Sequence, residues 1–144
     1  MTSSQLDLMV RRGTTFELEL VSQVKKYTYD PAVHNSAADL KRTHAENLEY
    51  YGFIYEYVDF ATMYPTAVLE VVNPWQSEAP RSPLLTLTKE AGEIELTDKS
   101  VKIGISAENT QLLDFDKGNY QLTLITAAGK VDGLIHGTFT VEGD

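Results

Sequence analysis

The chain has 144 residues, of which 12 are Lys or Arg and 21 are Asp or Glu, so its formal net charge is −9. This length predicts one domain with a core large enough to fold without a metal or disulfides, and cysteine is absent. The acidic balance argues against a nucleic-acid-binding surface and against docking on an anionic membrane, since both need basic residues. We also expect no membrane span and no secretory signal, because the sequence has neither a long apolar run nor a basic, apolar leader.

The N-terminal residues predict an arm followed by a strand. Residues 2–12 carry two cations, Arg11 and Arg12, in an otherwise acidic chain, and they either pair with a neighbouring subunit or form a first strand. Along residues 15–20, apolar side chains alternate with Glu17 and Glu19, a pattern typical of a strand with one buried face.

Residues 24–57 are mixed in pattern, and we interpret them as an insert between strands. Residues 36–51 predict one helix, because Ser36 suits the N-cap with Asp39 three residues later, and Gly52 suits the C-terminal end. Tyrosine is concentrated here and just beyond, and these residues either cover one side of the domain as a small second core or form an interface. Seven of the eight tyrosines lie within 38 residues: Tyr27, Tyr29, Tyr50, Tyr51, Tyr55, Tyr57 and Tyr64.

The remainder, residues 65–144, predicts short strands separated by turns. Residues 131–141 keep one apolar parity from Val131 to Val141, and Ser106 can cap a short helix over residues 107–112. Seven short strands at roughly 8–12-residue intervals, once the insert is set aside, predict an antiparallel β-sandwich in a single domain, residues 1–144. The side chains expected to face inward are Ala67, Leu69, Val71, Leu85, Leu87, Ile94, Leu96, Val101, Ile103, Ile105, Tyr120, Leu122 and Leu124.

A proline-rich stretch, residues 73–83, is a long loop that carries Trp75, the single tryptophan of the chain. Long loops without secondary structure are uncommon unless they have a role. Two interpretations stay open: Trp75 anchors the chain in a partner, or it folds back onto its own domain.

The sequence contains no catalytic or metal-binding pattern. The three histidines match no metal spacing, and the stretch from Asp114 departs from a calcium loop at its fifth and twelfth positions. No nucleophile motif, Walker loop or GxGxxG pattern occurs. We therefore expect no enzyme activity, no cofactor and no bound metal. Two pairs of glutamates are expected on solvated outer strand faces: Glu17 with Glu19, and Glu93 with Glu95.

An ordered set of motifs runs through the chain on both sides of the insert. It comprises Gly13-Thr-Thr-Phe, Val58-Asp-Phe, Thr66-Ala-Val-Leu-Glu-Val, Leu84-Leu-Thr-Leu-Thr, Gly92-Glu-Ile-Glu-Leu, Val101-Lys-Ile-Gly-Ile-Ser-Ala-Glu-Asn-Thr, Gly118-Asn-Tyr-Gln-Leu-Thr-Leu and Gly129-Lys-Val-Asp-Gly-Leu-Ile-His-Gly-Thr-Phe-Thr-Val. This set resembles a broad group of small tailed-phage virion proteins and is similar to the N-terminal domain of phage baseplate upper proteins. The chain departs from the pattern at Asp59-Phe-Ala-Thr, which lacks the glycine of the usual turn, and in its insert.

The resemblance implies an all-β, Ig-like antiparallel sandwich with an inserted helical, tyrosine-rich segment. It also implies structural work in a virion, at the tail, baseplate or neck, by a protein made in the host cytoplasm. The implied partners are other virion structural proteins and copies of this chain, with no nucleic acid and no membrane, and no catalytic residues are implied. The residues that we expect at subunit contacts are Arg11, Arg12, Tyr50, Tyr51, Tyr55, Tyr57 and Trp75.

Two other functions stay open. A capsid decoration protein would clamp capsomers, and its high copy number would separate it from a tail, baseplate or neck component. A carbohydrate-binding sandwich that touches the host would place aromatic and acidic residues on a rim where they can stack on sugars.

Overall fold

The computed structural model of the protein describes residues 3–75 and 82–143. Strands dominate its regular structure, which confirms the predicted all-β class. The strands are β1 (Ser4–Gln5), β2 (Leu8–Arg11), β3 (Phe16–Val21), β4 (Gln23–Tyr27), β5 (Phe53–Tyr57), β6 (Thr66–Val72), β7 (Pro83–Thr88), β8 (Ile94–Leu96), β9 (Ser100–Ile105), β10 (Lys117–Ile125) and β11 (Val131–Glu142). The helices are α1 (Ala37–Lys41), α2 (His44–Tyr51), α3 (Phe60–Met63) and α4 (Ala107–Gln111).

The strands form a large sheet, a small sheet and a separate two-stranded ribbon. The large sheet has the order β1-β11-β10-β6-β7, with β2 also beside β11, and the small sheet has the order β3-β9-β8. The ribbon consists of β4 and β5. Pairing is antiparallel except that β1 and β2 run parallel to β11. The N-terminal residues therefore form the first strands of the chain and join its large sheet. This is one of the two alternatives that the sequence left open.

One hydrophobic cluster joins the large and the small sheet. β6, β10 and β11 contribute to it from the large sheet, and β8 and β9 contribute from the small sheet. Leu69, Leu122 and Phe139 have no exposed surface. The inward residues predicted for β6, β8, β9 and β10 are all buried, because period-two alternation places one face of each strand in the cluster.

The predicted parity of β11 is wrong at its start. Val131 is exposed and Asp132 is buried, because the register of β11 with β10 shifts at a bulge between Leu122 and Thr123. A bulge adds one residue to one strand and so reverses the faces of the residues before it. The hydroxyl of Tyr64 donates to the buried Asp132 carboxylate at 2.8 Å, which satisfies this otherwise costly group.

Two buried tyrosines, Tyr64 and Tyr120, make the stability of the fold depend on pH in the alkaline range. Burial and the Asp132 carboxylate raise the pKa of Tyr64 to about 12, and burial raises the pKa of Tyr120 to about 12. We expect the free energy of unfolding to fall between about pH 10 and about pH 12, because the phenols ionise in the unfolded chain while they stay protonated in the folded chain.

Urea unfolding at a series of pH values measures how steeply the free energy of unfolding falls across this range. Tyr64→Phe should make the fall shallower, because it removes one of the two titrating groups. Tyr55→Phe is the matched control, since Tyr55 is exposed. A fall of unchanged slope in Tyr64→Phe would contradict the assignment.

The single helix predicted over residues 36–51 is two helices. Ser36 caps α1, as predicted, but the chain becomes extended at Arg42. Thr43 then caps α2 in a second capping box with Glu46. The Thr-x-x-Glu spacing of Thr43 and Glu46 is a helix N-terminus signal that the sequence analysis missed.

The other predicted helix ends are confirmed. Gly52 lies at the C-terminal end of α2 with φ +78°, a conformation that favours glycine. Ser106 caps α4, and its hydroxyl oxygen accepts from the Asn109 amide at 3.1 Å.

Candidate interaction surface

An arm, residues 22–58, interrupts the chain between β3 and β6. Its two ends meet where the Val58 amide donates to the Ser22 carbonyl at 2.9 Å. The ribbon forms its shaft, and every residue of β4 and β5 is exposed. Among the described strands, β4 and β5 pair only with each other. Both faces of the ribbon are therefore open to contact.

One face of the ribbon presents Gln23 together with Lys25, Tyr27, Phe53, Tyr55 and Tyr57, and we call these last five residues the aromatic face. Opposed residues of an antiparallel pair lie on the same side, which brings these five together. Lys25 Nζ lies 4.0 Å from the centroid of the Phe53 ring and 5.0 Å from that of Tyr27. Tyr27 and Tyr55 meet Phe53 edge to face at centroid distances of 6.2 and 5.4 Å. The ribbon thus holds a lysine over an aromatic surface that is about half exposed.

The opposite face of the ribbon is smaller and internally paired. Val24 and Ile54 are exposed there, and Lys26 Nζ lies 3.3 Å from Glu56 Oε1. This surface ion pair contributes little to stability. At the tip, α2 borders the aromatic face and forms with it a groove of about 400 Å³.

A polar network around Asp39 holds the tip of the arm. The Asp39 carboxylate is 4% exposed and accepts from the Tyr51 hydroxyl (2.8 Å), the Ser36 amide (3.1 Å) and the Arg42 guanidinium. Arg42 Nε donates to Asn47 Oδ1 (2.7 Å), and Asn47 Nδ2 donates to the Asp39 carbonyl (3.1 Å). The hydrogen bond from Tyr51, followed by those from Ser36, lowers the pKa of Asp39. The network joins α1 to α2.

Aromatic rings surround this network. The Tyr51 ring stacks on His34 at 3.9 Å and on Tyr29 at 5.8 Å between centroids. Tyr50 lies beneath the Arg42 guanidinium, whose Cζ is 4.0 Å from the ring centroid. Of the two adjacent tyrosines predicted as contacts, Tyr51 is thus half-buried in the tip, whereas Tyr50 is exposed.

We expect Asp39→Ala to loosen the tip without unfolding the core. The change removes the acceptor shared by Tyr51, Arg42 and Ser36, so the amides of α1 and α2 should exchange with solvent about tenfold faster. Hydrogen exchange followed by mass spectrometry measures this, with the amides of β6 and β10 as internal references. Glu49→Ala, an exposed carboxylate in α2, is the control, and equal protection in both variants would contradict the proposed role of the network.

The arm contains four of the predicted contact residues, but Trp75 lies elsewhere. Tyr55 and Tyr57 belong to the aromatic face, and Tyr50 and Tyr51 lie at the tip. The arm precedes β6 in the chain and Trp75 follows that strand, so Trp75 is not part of the arm. Trp75 is 73% exposed, and its role as an anchor in a partner stays a prediction. Residues 76–81 of its loop lie outside the described residues.

Arg11 and Arg12 have different surroundings. Arg11 is exposed at the end of β2. Arg12 donates to three backbone carbonyls, those of Leu113 (2.9 Å), Phe115 (2.9 Å) and Gly143 (2.7 Å). The Arg12 guanidinium therefore ties the end of β2 to two distant segments, and its contact with another subunit stays a prediction.

The two predicted glutamate pairs meet on the outer face of the small sheet. We call this surface the acidic face: Glu17 and Glu19 of β3, Glu93 and Glu95 at β8, and Lys102 of β9 between them. Lys102 Nζ is 3.8 Å from Glu19 Oε2. Four carboxylates around one ammonium give this face a formal charge of −3.

Gly104 lies in a depression of about 610 Å³ on the acidic face. It is the register partner of Glu17 in the neighbouring strand β3, and its amide donates to the Glu93 carbonyl at 2.9 Å. A Cβ placed on Gly104 would find its nearest atom, the Phe16 carbonyl oxygen, 3.9 Å away. The space above this glycine is therefore open.

Within residues 3–75 and 82–143, no cluster of three or more His, Cys, Asp or Glu side chains could hold a metal ion. None of the helices in that part of the chain has the length and apolar character to cross a membrane.

Lys25, Tyr27 and Phe53 belong to the aromatic face but were not among the expected subunit contacts, although Tyr27 is one of the seven concentrated tyrosines. A signal for part of it exists, because Phe53, Tyr55 and Tyr57 recur at every second position, the spacing of one strand face. Lys25 has no such signal, since its place depends on its pairing with Tyr55, 30 residues further along the chain.

Neither the protein-family models nor the curated proteins compared with this chain match it. Its function must therefore be inferred from its own surfaces.

Proposed function

We propose that this chain is a non-enzymatic structural component of a bacteriophage virion, in the tail, baseplate or neck, that acts through subunit contacts made by its arm. The aromatic face carries this proposal, because its four rings and one lysine are left about half exposed. Exposed apolar patches of this kind mark surfaces that another molecule covers.

The strand order supports an Ig-like sandwich as the scaffold. In variable-type Ig domains, one sheet contains strands G, F, C and C′, and the other contains B, E and D. Here the large sheet contains β11-β10-β6-β7 and the small sheet is β3-β9-β8. Sheet order and chain order agree with that scheme if β3 is strand B and β6 is strand C. The resemblance to tailed-phage virion proteins depends on these same strands.

In this assignment, the arm takes the place of the loop between strands B and C. Variable Ig domains use that loop, together with its neighbours at one end of the sandwich, for recognition. A rigid scaffold that positions a variable contact segment is a recurring arrangement in binding proteins. The position of the arm thus supports a contact function.

The energetics of the ribbon support the same function. A two-stranded ribbon is only marginally stable by itself in water. Burying one large apolar side chain stabilises a structure by about 1.5–3 kcal/mol, and tyrosine is among the residues that dominate interface energies. A partner that covers the aromatic face would therefore stabilise the ribbon as well as the assembly.

Quantitative mass spectrometry of gradient-purified particles from the source, calibrated against the major capsid protein, tests the proposal. A small multiple of about three or six copies per particle is the expected result for a symmetric tail, baseplate or neck component. Hundreds of copies would instead favour a decoration protein. Absence from the particle would overturn the virion proposal, and a glycan array would then test sugar binding.

Tyr55→Ala combined with Tyr57→Ala should yield a folded chain that no longer enters particles. Both side chains are exposed and lie outside the core, so the sheets keep their packing while the contact loses two aromatic anchors. Incorporation is measured by complementing a strain that lacks the natural copy. Leu112→Ala removes an exposed apolar side chain outside the arm and should be incorporated normally. Normal incorporation of the double variant would show that the arm is not the contact.

A further inference from the structure

We infer that the aromatic face of one copy docks on the acidic face of a second copy, so that the chain assembles head to tail. This inference rests on the proposed function, because it names the partner of the arm. The two faces belong to different parts of the chain, the ribbon and the small sheet, and both are open to solvent.

Charge complementarity selects this partner. The five residues of the aromatic face include Lys25 and no carboxylate, with Glu49 of α2 on the far side of the adjoining groove, in a chain whose formal charge is −9. The acidic face, at −3, is a surface of opposite sign within the same molecule. Ionised carboxylates only accept hydrogen bonds, whereas ammonium and phenol groups donate them. Lys25, Tyr55 and Tyr57 thus supply donors where the acidic face supplies acceptors, and such charge-assisted bonds are strong.

Shape agrees with charge. Both surfaces are faces of β-sheets, which stack on each other at about 10 Å. The depression above Gly104 offers space for an aromatic ring between Glu17 and Glu93. An aromatic side chain over a sheet glycine compensates for the side chain that the glycine lacks. A tyrosine ring from the aromatic face can cover Gly104 while its hydroxyl donates to a neighbouring carboxylate.

The contact joins two different surfaces, so each copy offers one donor arm and one acceptor face. An interface of this kind is heterologous, and repetition produces a closed ring if the rotation closes and a filament if it does not. A ring is the form expected for a tail, baseplate or neck component. A dimer held by a single contact leaves one arm and one acidic face uncovered, so association continues unless two copies dock reciprocally about a twofold axis.

Two variants separate the surfaces. The arm variant combines Lys25→Glu with Tyr55→Ala, and the face variant combines Glu17→Lys with Glu95→Lys. Sedimentation velocity of the full chain, from about 1 µM to about 1 mM, should show concentration-dependent association of the unmodified protein. Each variant should weaken that association by about a hundredfold. Added salt should also weaken it, because the charges lie at exposed surfaces.

Mixing the two variants is the decisive step. The face variant keeps an intact arm, and the arm variant keeps an intact face, so the mixture should form a one-to-one complex and stop there. Two variants that remain monomeric when mixed would overturn the inference. Matched controls place the same charge changes elsewhere: Lys26→Glu on the opposite ribbon face, and Glu70→Lys on β6 of the large sheet. Both controls should associate like the unmodified protein, and loss of association in either would contradict the assigned faces.

Failure of self-docking can be distinguished from failure of the proposed virion function. An unmodified chain that stays monomeric over the whole concentration range would overturn self-docking. If the Tyr55 and Tyr57 double variant still failed to enter particles, the arm would then contact a different virion protein, and the proposed function would stand.

Discussion

Phe139→Ala should lower the free energy of unfolding by about 3–5 kcal/mol. Phe139 has no exposed surface and lies where β11 crosses the shared core. Its ring centroid is 6.0 Å from that of Phe115 and 6.4 Å from that of Tyr120. Truncation removes the apolar area of the ring and leaves a cavity, because rigid strands on both sides restrict collapse. Urea or thermal unfolding measures the loss.

A control for this effect lies in the same strand. Val131→Ala also shortens an apolar side chain of β11, but Val131 is exposed and the change should stay within about 0.5 kcal/mol. Similar losses in the two variants would mean that Phe139 is not a core residue.

Arg12→Ala should lower the free energy of unfolding by about 2–3 kcal/mol, a large effect for a residue at the end of a first strand. The side chain is 14% exposed and donates to the carbonyls of Leu113, Phe115 and Gly143. Its Nη2 also lies 3.2 Å from Asp116 Oδ1. Loss of the guanidinium leaves the part-buried carbonyls of Leu113 and Phe115 without this donor and releases the exposed Gly143 carbonyl near the C-terminal end of the chain.

The neighbouring residue and a conservative change test the assignment. Arg12→Lys should restore only part of the loss, because an ammonium cannot reach three separated carbonyls in the geometry of a planar guanidinium. Arg11→Ala should change the free energy of unfolding by no more than about 0.5 kcal/mol, since Arg11 is exposed. Equal effects of the two alanine variants would contradict a structural role specific to Arg12.

The strands of the core could be predicted from the sequence because each has one buried face. Alternation in β9, for example, places Val101, Ile103 and Ile105 on the inside, as the structure has them. The ribbon could not be predicted in this way, since both of its faces are exposed and no burial constrains its pattern. The start of β11 was wrong for a different reason: a bulge changes parity through the pairing with β10, which is not local information.

Candidate contact residues were easier to predict by type than by position. The tyrosines of residues 24–57 were identified from their concentration, and the structure does bring Tyr55 and Tyr57 together on one face. Composition could not distinguish Arg12 from Arg11, because the difference lies in carbonyls about a hundred residues away. Composition also could not show that Trp75 lies outside the arm, because that depends on the strand β6 that stands between them in the chain.

The closed root of the arm bears on how this protein can change over evolutionary time. The hydrogen bond between the Val58 amide and the Ser22 carbonyl brings the two ends of the insert together at the edge of the core. Lengthening a loop whose ends are already adjacent adds only about 0.6 kcal/mol of closure entropy for each doubling. Arms of other lengths and sequences can therefore replace this one while both sheets keep their registers. The length and sequence of the arm are thus separable from the stability of the two sheets, and mutation can alter them independently.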